Sequence, residues 1–228
     1  MKATKTIKPG LLGLASALLL SVLILSCDAP IRNVIILCAG DSLTEQGYPL
    51  YLQTILRNEG IKARVLNYGR SGFTSGQYLD FLKGRKARLS SLHPDLILVQ
   101  LGTNDVRLDA DRTPTDRFEA NMRDILDLFR DFRTRRGRPA RVFLALIPPV
   151  PEGTAFPFSP ESSRRAREEI NPVLKRLAEE RGVPLVDNYS LFVRLPGLLP
   201  GVHPTEDGYR ELAENWHRAL KPGLPRGR

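Results

Sequence analysis

Five short apolar runs, each followed by a longer stretch of helical spacing, constrain the fold of this chain more than any other feature. The runs are 33–39 (NVIILCA), 63–67 (ARVLN), 95–101 (DLILVQL), 140–147 (ARVFLALI) and 183–187 (VPLVD). They are rich in Val, Ile and Leu without strict polar alternation, the pattern of parallel strands covered on both faces. The stretches at about 48–59, 75–91, 115–136, 160–182 and 205–220 carry apolar residues three or four apart. In the third, Phe118, Met122, Ile125, Leu126 and Phe129 form a stripe that a helix would turn toward a core. Gly60, Gly137 and Gly182 stand where left-handed caps close helices, and Pro94 and Pro139 where strands begin. This alternation predicts an α/β fold, a single-domain three-layer α/β/α sandwich on a five-stranded parallel sheet. With 228 residues, 42% of them hydrophobic, the chain has material for one such core. No fixed-period repeat suggests another architecture.

The first residues stand apart from that pattern. Lys2, Lys5 and Lys8 precede an apolar stretch from Leu11 to Leu25, the charged and hydrophobic regions of a secretory signal. The run Leu23-Ile24-Leu25-Ser26-Cys27 resembles the lipobox of bacterial lipoproteins. The resemblance implies cleavage before Cys27, lipidation of its sulfur, and an exported lipoprotein anchored to a membrane and facing the periplasm or cell exterior. An ordinary signal peptide or an uncleaved anchor is the alternative. The expected organisation is a signal peptide over 1–26, a short lipidated tether over 27–32 and the domain over 33–224.

Without the three leader lysines the formal charge falls from +9 to +6. Much of the remaining base lies in 130–141 and 164–167, read as solvated helix faces with some attraction to anionic lipid or glycan; no nucleic-acid partner is expected. Cys38, inside an apolar run, reads as a small buried hydrophobe.

In a doubly wound sheet, active residues collect beyond the carboxyl ends of the strands. Gly40-Asp41-Ser42-Leu43-Thr44 follows the first run, Gly69-Arg70-Ser71-Gly72-Phe73-Thr74-Ser75 the second, and Gly102-Thr103-Asn104-Asp105 the third. Beyond the fifth comes Gly201-Val202-His203-Pro204-Thr205. These four segments, in this order and at these separations, resemble the conserved blocks of the SGNH or GDSL-type esterase and lipase superfamily, whose sheet has a flavodoxin-like topology.

The resemblance implies a carboxylic ester hydrolase working through an acyl-serine intermediate. Ser42 would be the nucleophile and His203 the base; the Ser42 N–H, Gly72 and Asn104 would form the oxyanion hole. The chemistry requires such groups: a serine hydroxyl needs an imidazole to take its proton, and the developing oxyanion needs fixed donors.

One position departs from the family pattern. The acid that orients the histidine normally stands three residues before it, and here Pro200 does. Three readings follow: a Ser42–His203 dyad oriented by a backbone carbonyl near Pro200 or Leu199; a displaced acid, Asp187 first, with Glu206 and Asp207 behind it; or a weak or inactive pseudoesterase that binds acylated ligands.

The segment Ser42-Leu43-Thr44 lacks the second glycine of a G-x-S-x-G elbow, and neither a phosphate-binding glycine motif nor metal-ligand spacing is present. No cofactor or metal is therefore expected. A flavin-binding flavodoxin-like protein is the rival from another class, but it leaves the third and fourth blocks unexplained. His93 and His217 read as structural. The substrate class is that of short acyl or acetyl esters, on carbohydrates or on lysophospholipid-like molecules. Phe156 and Phe158, in the connection 148–160, would cover an acyl chain or close the core. A tether of five or six residues reaches at most roughly 20 Å from the amino end of the first strand, so the site should face away from the anchoring membrane. That orientation favours soluble or cell-wall esters such as acetylated glycans.

Overall fold

The computed structural model describes residues 33–225. Cys27, with the signal and tether readings, lies outside the described residues. Five strands form one sheet, β1 (Val34–Gly40), β2 (Ala63–Gly69), β3 (Leu96–Gln100), β4 (Arg141–Ala145) and β5 (Leu185–Val186). All pairings are parallel and the order is β2-β1-β3-β4-β5. The predicted sandwich is the observed fold.

The helices are α1 (Ser42–Glu45), α2 (Tyr48–Asn58), α3 (Ser75–Lys83), α4 (Lys86–Ser90), α5 (Thr115–Arg130), α6 (Pro160–Arg165), α7 (Asn171–Arg181), α8 (Asn188–Arg194) and α9 (Glu206–Leu220). A π-helical turn, Ala166–Ile170, joins α6 to α7. Because successive side chains of a strand point to opposite faces, β1 sends Leu37 and Ala39 into one core and Ile36 and Cys38 into the other. The first core packs the Phe118, Met122, Ile125 and Phe129 stripe of α5 and Leu174 and Leu177 of α7. The second packs Tyr48, Leu52 and Leu56 of α2 against Leu212 and Trp216 of α9, with Tyr48 and Trp216 stacked at 5.8 Å.

Four local expectations change. The single helix expected over 75–91 is two, α3 and α4, parted at Gly84 and Arg85. The helix expected over 115–136 ends at Arg130, because beyond buried Phe132 the chain has only arginines and small residues to offer a core and reverses instead. Thr134 N–H donates to the Arg138 carbonyl at 2.8 Å, and Gly137, at φ 75°, serves that turn rather than a helix cap. Helix α8 was not expected; Asp187 starts it by accepting from Ser190 N–H at 2.8 Å. Arg165, assigned to a solvated face, is 1% exposed.

Cys38 is buried, and burial pushes its thiol up to about 12, as a small core residue requires. His93 contacts the Arg133 carbonyl and buried His217 contacts Glu59 just beyond α2, both structural roles.

Candidate active site

The first strand ends where its backbone must turn sharply into α1. Asp41 makes that turn: its Oδ1 accepts from Leu43 N–H at 3.0 Å, and its carbonyl accepts from Thr44 and Glu45 N–H. Gly69 lets α1 press against β2, since a Cβ there would lie 2.2 Å from the Glu45 nitrogen. The result sets Ser42 at the carboxyl edge of the sheet, 7% exposed. Its N–H, the first of a helix, has no intrahelical acceptor.

His203 arrives from the far end of the domain. Thr205 caps α9 by accepting from Gly208 N–H, and Thr205 N–H donates to the Leu198 carbonyl, so the turn before α9 is pinned on both sides. His203 Nε2 meets Ser42 Oγ at 2.9 Å. Burial lowers the imidazole pKa from its ordinary 6.5, which keeps the ring neutral and able to accept a proton near pH 7.

The second and third blocks meet beside this pair. Asn104 Nδ2 donates to the Phe73 carbonyl at 3.0 Å, which ties the third block to the residue after Gly72 and leaves its other amide hydrogen free. Gly72 sits at φ 80°, a conformation that costs glycine little and other residues more. The donors of Ser42, Gly72 and Asn104 thus stand on three adjacent strand ends.

No acid joins them. Asp187 spends its carboxylate on Ser190, from N–H at 2.8 Å and from the hydroxyl at 2.7 Å, which makes it a helix cap. Glu206 and Asp207 pair with Arg210. Among the described residues His203 Nδ1 has no hydrogen-bond partner, neither a carboxylate nor the carbonyl of Leu199 or Pro200, so the expected orienting contact is absent. With Pro200 in place of the acid, the half-exposed ring presents Nδ1 without a protein acceptor.

Two further groups were not singled out from the sequence. Asp105 is buried and accepts from Ser75 N–H at 3.0 Å and Ser75 Oγ at 2.6 Å, locking the third block to α3. Arg165 reaches across from α6 to donate to the Asp105 carbonyl at 2.8 Å and the Thr113 carbonyl at 2.6 Å, with Glu169 as its ion pair. An arginine in a charged run gives no signal of this; only the packing of α6 over the third block does.

Asp41 is fully buried, and its Oδ2 and the neighbouring Thr103 hydroxyl both fall outside hydrogen-bond geometry. Burial, with a contribution from Asp105, pushes its carboxyl up to about 7. The folded state therefore holds this proton more tightly than the unfolded chain, and stability falls as pH rises from about 4 toward 7. Asp41→Asn keeps the Leu43 acceptor and removes the buried charge. Its expected gain in Tm is largest above pH 7 and shrinks toward pH 4, as thermal melts across that range would read; a gain independent of pH would contradict it.

Among the described residues no His, Cys, Asp or Glu cluster is grouped to hold a metal ion. Of the two phenylalanines in the connection 148–160, Phe158 packs on the core and Phe156 is 78% exposed. The first therefore closes the core; the second covers nothing.

Solved structures share this architecture. An acetylxylan esterase from Geobacillus stearothermophilus superposes with a TM-score of 0.68 at 23% identity, covering 87% of this chain and 98% of that one. A lipase/acylhydrolase from Enterococcus faecalis gives a TM-score of 0.69 at 24% identity, covering 86% and 99%. Among curated proteins, an acetylxylan esterase of Xylanibacter ruminicola is 25% identical over 229 residues, 86% of this chain and 45% of that protein. A multidomain esterase of Ruminococcus flavefaciens is 27% identical over 251 residues, 90% of this chain and 31% of that protein. The chain thus spans less than half the length of either curated relative. Residues 38–211, which hold all four blocks, match the GDSL-like Lipase/Acylhydrolase family, and the chain belongs to that family.

Proposed function

We propose that this chain is a serine ester hydrolase that removes short acyl groups, acetyl above all, from glycans, using Ser42 and His203 as a dyad. The observation that carries the reading is the 2.9 Å contact between Ser42 Oγ and His203 Nε2 at the carboxyl edge of the sheet. In this mechanism His203 takes the hydroxyl proton as Ser42 Oγ attacks the ester carbonyl. The oxyanion is met by the N–H groups of Ser42 and Gly72 and by the free amide hydrogen of Asn104. Collapse of the tetrahedral intermediate expels the alcohol, which receives the proton from His203. Water, deprotonated by the same imidazole, then releases the acyl group from Ser42.

A neutral imidazole is the working form, so the acid limb of kcat/KM should lie below pH 6.5, the ordinary histidine value. A midpoint above that value would mean an acid partner raises the ring's pKa. Asp187→Ala separates the dyad from the displaced-acid reading. With Asp187 a cap, the substitution costs about 1 kcal/mol of stability and leaves kcat within a factor of about three of wild type, well short of the roughly 10,000-fold cost of disturbing a triad acid.

The acetylated-glycan preference draws on the acetylxylan esterase similarities and on the exposed setting of His203. A chromogenic ester series of increasing acyl length, run beside acetylated xylan, tests it; faster turnover of long acyl esters than of acetyl would overturn the preference. Export as a Cys27 lipoprotein remains part of this proposal, with metabolic labelling of wild type and Cys27→Ser by a fatty-acid analogue as its test.

A further inference from the structure

Among the described residues the arginines differ in how densely they are set and in whether a carboxylate meets them. Along the helices Arg123, Arg164, Arg176 and Arg210 each meet one or more carboxylates. Isolated helical arginines such as Arg57, Arg117 and Arg194 have no such partner, but only between the end of α5 and the start of β4 are unpaired arginines crowded together among the described residues. Arg130, Arg133, Arg135, Arg136, Arg138 and Arg141 are all exposed, and among the described residues none forms an ion pair. The one acid in that segment, Asp131, is engaged by Lys86 at 2.7 Å.

The segment is built to present Arg135, Arg136 and Arg138, while Arg133 Nη1 donates to the Arg130 and Phe132 carbonyls and Arg141 lies over the Phe143 ring. Phe132 is buried at its root, Arg133 and Pro139 form an antiparallel bridge, and the turn from Thr134 to Arg138 closes a small hairpin with Arg135 and Arg136 at its tip. Six like charges in so short a stretch repel one another, whereas a surface shaped for solubility alone intersperses the signs. A cavity of ≈ 580 Å³ opens beside the hairpin, lined by Arg130 and Arg141 together with Glu180 and with Arg181, which pairs with Asp127.

Location narrows what the hairpin can meet. Arg141 is in register with Leu96, and Leu96 with Ile36, so the hairpin lies at the amino edge of the sheet, opposite Ser42. Asn33, the first described residue, stands at this same edge, where Val34 N–H donates to the carbonyl of exposed Lys62 at 2.8 Å. The preceding sequence carries the apolar stretch from Leu11 to Leu25.

We propose that the arginine hairpin docks the amino edge of the domain on an anionic phospholipid bilayer, its guanidinium groups on headgroup phosphates. Guanidinium forks match phosphate oxygens in pairs, and each basic residue near an anionic membrane surface adds about fivefold to its attraction. Docking of this kind turns the carboxyl edge, with Ser42 and His203, toward the aqueous phase. It depends neither on ester hydrolysis nor on lipidation of Cys27.

The test is amide hydrogen exchange of the full-length chain on vesicles of phosphatidylcholine alone and of phosphatidylcholine mixed with phosphatidylglycerol. Exchange at residues 134–138 is expected to slow about 10-fold or more on the anionic vesicles relative to the neutral ones, with the difference lost at 1 M salt, where the screening length is about 3 Å. The triple variant R135Q/R136Q/R138Q should keep wild-type ester turnover in solution and lose that protection. Equal exchange on the two vesicle types would overturn the proposal. So would protection that survives the triple substitution, or equal protection by a soluble anionic polysaccharide without lipid.

Discussion

Ser42→Ala should lower kcat on a short acyl ester by about 10⁵-fold or more while leaving the thermal unfolding midpoint where it is. Loss of a serine nucleophile in a hydrolase of this logic typically costs about 10⁶-fold, and the residue that remains reflects the oxyanion donors and binding alone. His203→Ala should fall nearly as far, and the double variant little further, because the two act as one unit. Stability should hardly respond. Ser42 Oγ contacts only the half-exposed imidazole, while the turn around it is held by Asp41 and Gly69. Asn104→Ala should cost roughly 100- to 1,000-fold in kcat, the usual loss on removing one oxyanion donor. Steady-state rates on p-nitrophenyl acetate beside thermal melts separate these outcomes from simple unfolding.

The second large effect is on stability. Arg165→Met should lower the unfolding free energy by about 3 kcal/mol, since it removes one partner of Glu169, strands the Thr113 carbonyl and leaves the Asp105 carbonyl only the longer contact from Thr113 N–H. At 2–4 °C per kcal/mol for a domain of this size, the expected drop in Tm is about 10 °C. Glu169 still has Arg164 and Thr115, so the loss comes chiefly from the Asp105 and Thr113 carbonyls. Arg165→Lys should recover less than half of it, because an ammonium on a flexible stem cannot bridge two carbonyls as a planar fork does. Loosening of the segment that carries Asn104 should also reduce kcat more than it raises KM. A Tm change under about 2 °C would contradict the role assigned to Arg165.

The same contrast explains what could be read from the sequence. Strand positions followed from the apolar runs, because β1, β3 and β4 are covered on both faces and must be nearly continuous in Val, Ile and Leu, whereas the topology came with the family resemblance. The site edge was legible because catalytic groups of a parallel sheet gather at carboxyl ends, and Ser42, Gly72, Asn104 and His203 each follow such an end, directly or through one connection. What escaped depends on long-range contacts. The run 164–167 reads as solvated charge, yet the α6 axis aims Arg165 inward while Arg164 and Arg167 pair with acids on the surface. Local propensity extends α5 six residues past its observed end, because Arg133, Arg135 and Arg136 are good helix formers; the departure of the core after Phe132 is a tertiary fact. Pro200 announced the missing acid, but which group would orient His203 could not be read, and the structure gives Nδ1 no protein partner.

The most direct test of the central claim is mass spectrometry of the protein quenched in acid during turnover of p-nitrophenyl acetate. An acetyl adduct is expected on the peptide containing Ser42, present in wild type, enriched when deacylation is slowed at low pH, and absent from Ser42→Ala and His203→Ala. Turnover with the adduct on another residue, or Ser42→Ala hydrolysing the ester at the wild-type rate, would contradict it.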